Sequence, residues 1–265
     1  MHNFKQALAN KRALLGTFVK TPHYHNTELL SKLGFATLCL DAEHAPFDRR
    51  DLDGCILAAK ANHQHVLVRL PNDSHDSILN ALDLGADGLV IPHIKTAAQL
   101  SKVVKNCYYG HNGRGYAGST RMAGYTTRNI NQNIEHNRLN TTIIAQIEDL
   151  DALDQLAEIC QVDGLDCLFI GRMDLTVALG ETDPSSPKVI ETIEKIVEVA
   201  RQYNVSVGMF IADLNELTGW LQKQISLFLL GSDHSFMIAG AKAVQTRFGI
   251  AEKESAEKDS ARDSS

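Results

Sequence analysis

Short apolar runs alternate with amphipathic, capped segments along almost the whole chain. Residues 13–20, 35–43, 65–70, 86–94, 141–149, 165–171, 205–212 and 225–233 are apolar stretches of strand length, as expected of parallel strands covered on both faces. Between them, residues 26–34, 48–63, 74–85, 96–107, 151–160, 187–204, 213–224 and 235–249 read as helices. Asp48 and Ser74 sit where N-caps belong, Pro187 falls in a first turn, and Gly34 and Gly85 close two helices. About eight βα units in a chain of this length predict the α/β class and a (β/α)8 TIM barrel, with one domain over residues 1–250. A doubly wound open sheet would call for a Gly-rich phosphate loop after its first strand, and GTFVKTPHYHN contains none. Residues 108–140 interrupt the alternation as a polar insertion rich in Gly, Arg and Asn, of a length that is usually functional or partly helical. Residues 251–265 are charged and of low complexity, and a disordered tail is expected there.

Composition narrows the function. The 265 residues are 44% hydrophobic and 22% charged, enough to bury a large core. A net charge of −6, with both signs interspersed, gives no nucleic-acid footprint. No stretch spans a bilayer, and the N-terminus lacks the apolar region of a signal peptide. The five cysteines, Cys39, Cys55, Cys107, Cys160 and Cys167, are scattered and odd in number. They read as reduced small hydrophobes, and a cytoplasmic location follows as an expectation.

In a barrel of this kind, chemistry occupies the C-terminal strand ends. The second strand ends in Asp41, Glu43 and His44, the third in Arg69. The fifth carries Gln146 and Glu148, two apart and so on one face; the sixth ends in Gly171 with Asp174 just beyond; the eighth ends in Ser232, Asp233 and His234. Each has a structural alternative. Asp174 suits a helix cap, Arg69 a loop ion pair, Gln146 a satisfied core amide, His44 a hydrogen-bonded strand end, and Asp83 a solvated helix position. The functional case rests on co-location. Strands five and six are neighbours, so Glu148 and Asp174 can converge, and two carboxylates in one mouth need a cation or a shared proton. With oxygen donors and no His or Cys beside them, the expected ion is hard: Mg2+ or Mn2+, with Co2+ as a third choice.

These residues carry a resemblance. DAEHAP, the arginine of VRL, the Q-x-E of AQIED and FIGRMDLTVALG, with LDLGADGLVIPHI and GRGYAGSTR, together resemble the HpcH/HpaI aldolase family over residues 4–249. The resemblance implies metal-dependent class II pyruvate aldolase chemistry on a (β/α)8 barrel, with a 2-oxoacid such as pyruvate or oxaloacetate as substrate. It implies that Glu148 and Asp174 bind the metal, and that Gln146 holds the substrate or a water on the metal. It places Arg69 on the keto oxygen, and gives His44 a role in proton transfer with Asp41 beside it. Asp83 is similar to the family's acidic partner of that histidine, contributed by a neighbouring subunit, so a homo-oligomer (a hexamer or a dimer-based assembly) is expected. The N–H groups of Arg172 and Met173, following Gly171, would cradle the substrate carboxylate.

The chain also departs from the pattern. Arg172 and Thr176 stand where Pro and Ser are common, and Phe18 where Trp is frequent. Arg172 adds a planar, permanently charged donor suited to a second carboxylate, with Arg121 as a candidate second donor, and so predicts a dicarboxylate substrate or product. The competing reading has Arg172 pointing outward to a loop carboxylate such as Asp183. Two other functions use the same barrel: a citrate synthase-type condensation of acetyl-CoA with oxaloacetate, and a non-catalytic binding protein. A Schiff-base aldolase would need an inward lysine; the sixth strand has none, while Lys20 and Lys95 sit at strand ends.

Overall fold

The computed structural model describes residues 3–263, with side chains through residue 252. Eight parallel strands close into a barrel in sequence order: β1 (Leu14–Val19), β2 (Thr37–Asp41), β3 (Val66–Arg69), β4 (Gly88–Ile91), β5 (Thr142–Ile147), β6 (Cys167–Ile170), β7 (Ser206–Ile211) and β8 (Leu227–Ser232). The helices are α1 (Phe4–Ala9), α2 (Tyr24–Leu30), α3 (Arg49–Ala61), α4 (His75–Asp83), α5 (Ala97–Cys107), α6 (Ile130–Asn140), α7 (Leu150–Leu153), α8 (Leu156–Cys160), α9 (Arg172–Ala178), α10 (Pro187–Gln202), α11 (Leu217–Gln222) and α12 (Asp233–Asp263).

Strand alternation sorts the apolar residues into two clusters. Leu14, Phe18, Cys39, Leu67, Val90, Ile144, Cys167, Phe169, Leu227 and Leu229 fill the barrel interior. Their strand neighbours, among them Leu38, Leu40, Val66, Val68, Ile143 and Leu168, face the helices. Phe4, Ala7 and Leu8 of α1, a helix the apolar pattern does not reveal, join the interior cluster and close the bottom of the barrel. Strand spacing is tight at Gly16, where a Cβ would stand 2.6 Å from the Thr37 carbonyl oxygen. All five cysteines are free and buried.

Helix starts follow local chemistry. Asp48 accepts from the Asp51 N–H and Asp51 reciprocates, a capping box at the head of α3. Ser74 caps α4, Thr96 caps α5, and Gly85 takes a positive φ of 96° just past α4. Two predicted helices are broken. The 151–160 segment divides into α7 and α8, and 213–224 opens with a 3-10 turn, Leu214–Glu216, before α11. Within the insertion, Asn129 and Gln132 form a capping box that starts α6.

The last helix is the longest among the described residues. Its backbone continues to Asp263, through most of the segment for which charge and low complexity predict a disordered tail. Ala, Glu and Lys are strong helix formers, so the composition that prevents a packed core does not prevent a helix. Among the described residues, no helix is long and apolar enough to cross a membrane.

Candidate active site

The parity that buries Cys39, Leu67, Ile144 and Phe169 inside the barrel continues upward. Two residues on, each strand delivers Asp41, Arg69, Gln146 and Gly171 to the same inward face. Apolar layers fill the interior below; a charged layer lies above them.

Asp41 has no solvent exposure and takes a two-pronged bond from Arg69, Nε to Oδ1 at 2.9 Å and Nη2 to Oδ2 at 2.8 Å. The His44 N–H donates to Asp41 Oδ1 at 3.2 Å, and Lys20 Nζ stands 3.4 Å from Oδ2. Burial by itself would raise the Asp41 carboxyl; the Arg69 hydrogen bond and charge, with help from His44 and Lys20, hold it below the usual carboxylate range. The guanidinium lies over the Phe18 ring at 4.6 Å, and its Nη1 is 3.3 Å from Glu43 Oε2. Glu43 is pushed up, first by burial and also by Glu148, against the pull of Arg69 and His44.

Glu148 is 3% exposed and is held on both oxygens. Oε2 accepts from the Gln146 amide and faces Gly171, where a Cβ would come within 2.6 Å of it. Oε1 accepts from the His93 N–H at 2.9 Å. Burial would lower the His93 imidazole, but the Asp149 hydrogen bond and the charges of Glu148, Asp149 and Glu43 leave it raised.

A cleft of about 270 Å³ opens above this layer, lined by Lys20, His44, Arg69, Gln146, Gly171 and Asp174, with Met173 and Ser232 at its edge. Asp174 is exposed, in the first turn of α9, whose N-cap is Gly171. The donor set fits a divalent cation. Glu148 is a buried carboxylate whose Oε2 lies beside Gly171, Gly171 and Asp174 line the cleft, and the buried Gln146 Oε1 has no hydrogen-bond partner. Ligand atoms of Glu43, His93 and Glu148 also lie within 4.8 Å of one another. The expectation of an oxygen-only neighbourhood therefore fails: the turn after β4 brings an imidazole to Glu148.

Two expected site residues, Arg121 and Asp83, lie outside the cleft of their own chain, and the side chain of a third, Arg172, has partners of its own. Arg172 lines the cleft, but its guanidinium donates to the Pro184 carbonyl at 3.0 Å and pairs with Glu216 beside Trp220. Its ion-pair partner is Glu216, where the competing reading named Asp183. Arg121 donates to the Leu84 carbonyl and, at 2.7 Å, to Asp53, binding the insertion to α3 and the end of α4. No hydrogen bond or ion pair joins Asp83 to His44. Asp83 ends α4, 3.9 Å from the buried Arg114, and its Oδ1 has no hydrogen-bond partner. Asp233 is structural: it accepts from the Lys20 and Thr21 N–H groups and from Asn26.

Sequence reasoning passed over His93, weighed Lys20 only as a strand-end lysine for a Schiff base, and did not reach the full part played by Glu43. Glu43 follows the parity of Cys39 and Asp41. His93 follows Pro92, which ends β4, and takes a positive φ of 54°.

Comparison with known proteins decides the family. A profile described as HpcH/HpaI aldolase/citrate lyase matches residues 14–239. The chain belongs to this family. A hydroxypyruvate/pyruvate aldolase of Roseovarius nubinhibens is 32% identical over 80% of the chain and 83% of its own length. One of Roseobacter denitrificans is 27% identical over 94% and 97%. The crystal structure of an HpcH/HpaI aldolase/citrate lyase family protein from Burkholderia cenocepacia superposes with a TM-score of 0.88 at 27% identity, covering 94% of this chain and 99% of that one. As a member of the HpcH/HpaI family, the protein is an enzyme of the aldolase and carbon–carbon lyase type.

The Asp41–Arg69 pair yields a prediction. Removing one partner of a buried pair leaves an uncompensated charge, so Asp41→Asn should destabilise the fold by about 3 kcal/mol in urea denaturation. Because the folded Asp41 carboxyl lies below its unfolded value of about 3.9, its contribution is fully present above that value and is lost as pH falls through the folded one. The gap between parent and variant should stay level from neutral pH to about pH 5 and narrow below about pH 4. A gap independent of pH would contradict this assignment.

Proposed function

We propose that the enzyme makes and breaks a carbon–carbon bond through the enolate of a 2-oxoacid of the pyruvate or oxaloacetate type, with a divalent ion held by Glu148 and Asp174. The observation that carries this reading is the convergence of Arg69, Gln146, Gly171 and Asp174 on one cleft above a buried Glu148. Bound there, the ion supplies Lewis-acid polarisation of the keto group. Mg2+ and Mn2+ suit the carboxylate pair; the nearby imidazole keeps Co2+ in consideration.

The chain's own groups supply the rest. Asp41 occupies Arg69 Nε and Nη2, which fixes the plane of the guanidinium, and Nη1, 3.3 Å from Glu43 Oε2, is the nitrogen that would meet the oxygen on which enolate charge develops. The N–H groups of Arg172 and Met173, in the first turn of α9, face the substrate carboxylate. Gln146 donates from within the cleft wall and orders Glu148. His44, half exposed at the rim and held by Asp41 through its N–H, moves the proton of the distal hydroxyl. A carboxylate on the second substrate would meet Lys20, since Arg172 is committed to Glu216. Both strand-end lysines have carboxylate partners, Lys20 with Asp41 and Lys95 with Asp149, which supports a metal route over a Schiff base.

Exchange of the pyruvate C3 hydrogens in D2O, followed by mass spectrometry, tests this without the second substrate. Exchange should require Mg2+ or Mn2+, stop after EDTA and disappear in Glu148→Gln. Undiminished exchange after exhaustive chelation would remove the metal from the account.

The homo-oligomer expectation also stands as a proposal. Met237, Ile238, Val244 and Phe248 of α12 are each more than half exposed, and an apolar groove lined by Leu29, Leu33, Phe35 and Phe236 lies at its base. Light scattering should give an integer multiple of the chain mass, with Val244→Glu and Phe248→Glu together lowering it. A fully active monomer would overturn the assembly. Five buried free cysteines support a reducing, cytoplasmic setting.

A further inference from the structure

Among the described residues, His93 stands out for its backbone and for its surroundings. It is not glycine, yet it sits at φ 54°, a conformation that persists where neighbouring contacts fix it. That backbone aims its N–H at Glu148 Oε1, 2.9 Å away. Its ring reaches three carboxylates. Nδ1 lies 3.2 Å from the same Glu148 oxygen and 3.0 Å from Asp149 Oδ2, and Nε2 lies 3.6 Å from Glu43 Oε1. Asp149 is anchored in turn by Lys95 at 3.2 Å.

The two oxygens of Glu148 thus have different surroundings. Oε1 is committed to His93, while Oε2 takes the Gln146 amide and lies beside Gly171, both of which line the cleft. We propose that His93 is a positioning residue for Glu148: its N–H bonds Oε1, and its imidazole, bonded to Asp149 and 3.2 Å from the same oxygen, fixes the turn that aims this N–H, so that the carboxylate presents Oε2 to the divalent ion. The chain Lys95–Asp149–His93–Glu148 is then an outer support for a metal ligand, of the kind whose loss weakens metal binding although it touches no metal. The inference rests on Glu148 being a metal ligand, as proposed above.

Three variants and one spectrum separate the possibilities, using Mn2+ alone and reading free Mn2+ by EPR titration. His93→Gly keeps the backbone N–H and suits the positive φ, so it removes the ring without adding strain. It should weaken Mn2+ binding about 10–100-fold while melting at or above the parent temperature. His93→Asn, which also tolerates this backbone and restores a donor, should recover part of the loss. Glu148→Gln should abolish binding at the site. Electron spin echo spectra of the parent with Mn2+ should lack the coupling of a directly bonded nitrogen. Unchanged affinity in His93→Gly, with binding lost in Glu148→Gln, overturns the role of His93 alone. Binding that survives Glu148→Gln overturns the metal reading and this inference together. A directly bonded nitrogen overturns positioning and makes His93 a ligand.

Discussion

Closing eight strands into a barrel forces every second side chain inward, and an interior can hold charge only where charge is answered. The lower layers answer this with Leu, Val, Ile, Phe and Cys. The upper layer answers it with Arg69 against Asp41, buried together and bonded at two points. That pair sets much of what surrounds it. It anchors the His44 N–H, places Lys20 against Asp41, and leaves a third guanidinium nitrogen directed at Glu43 and the cleft. The same alternation that builds the core therefore builds the site.

The second constraint is the crowd of carboxylates opposite. Glu43, Glu148 and Asp149 surround one imidazole, and Asp174, in the first turn of the helix that follows β6, lines the cleft. Their mutual repulsion shows in the raised Glu43, where Glu148 adds to burial. Such an arrangement favours a divalent ion, and any side chain at Gly171 would take the space beside Glu148 Oε2.

Much of this was legible in the chain. Alternating apolar runs and capped helices announced the barrel, and Asp48, Ser74 and Pro187 mark helix starts where expected. Arg69, Gln146 and Asp41 were legible because strand parity is a period-two rule. The direction of Arg172 was not, since it depends on Glu216 and Trp220, more than forty residues away in sequence. Arg121 reads as a donor for a ligand in a Gly-rich loop but is spent on Leu84 and Asp53, partners that only the folded insertion brings near. His93 escaped for a related reason. It lies just past a strand and a proline, where neither strand nor helix periodicity says which way a side chain turns. Its relation to Glu148 exists only because β4 and β5 are adjacent.

The central claim, a divalent ion on Glu148 and Asp174 beneath a 2-oxoacid, has a direct crystallographic test. Crystals grown with Mn2+ and pyruvate, measured with anomalous scattering at a manganese-sensitive wavelength, should show a single strong peak bonded to both carboxylates, with pyruvate's carboxylate at the start of α9. A peak bonded instead to Glu43 and His93, or no peak near Glu148, would contradict the account.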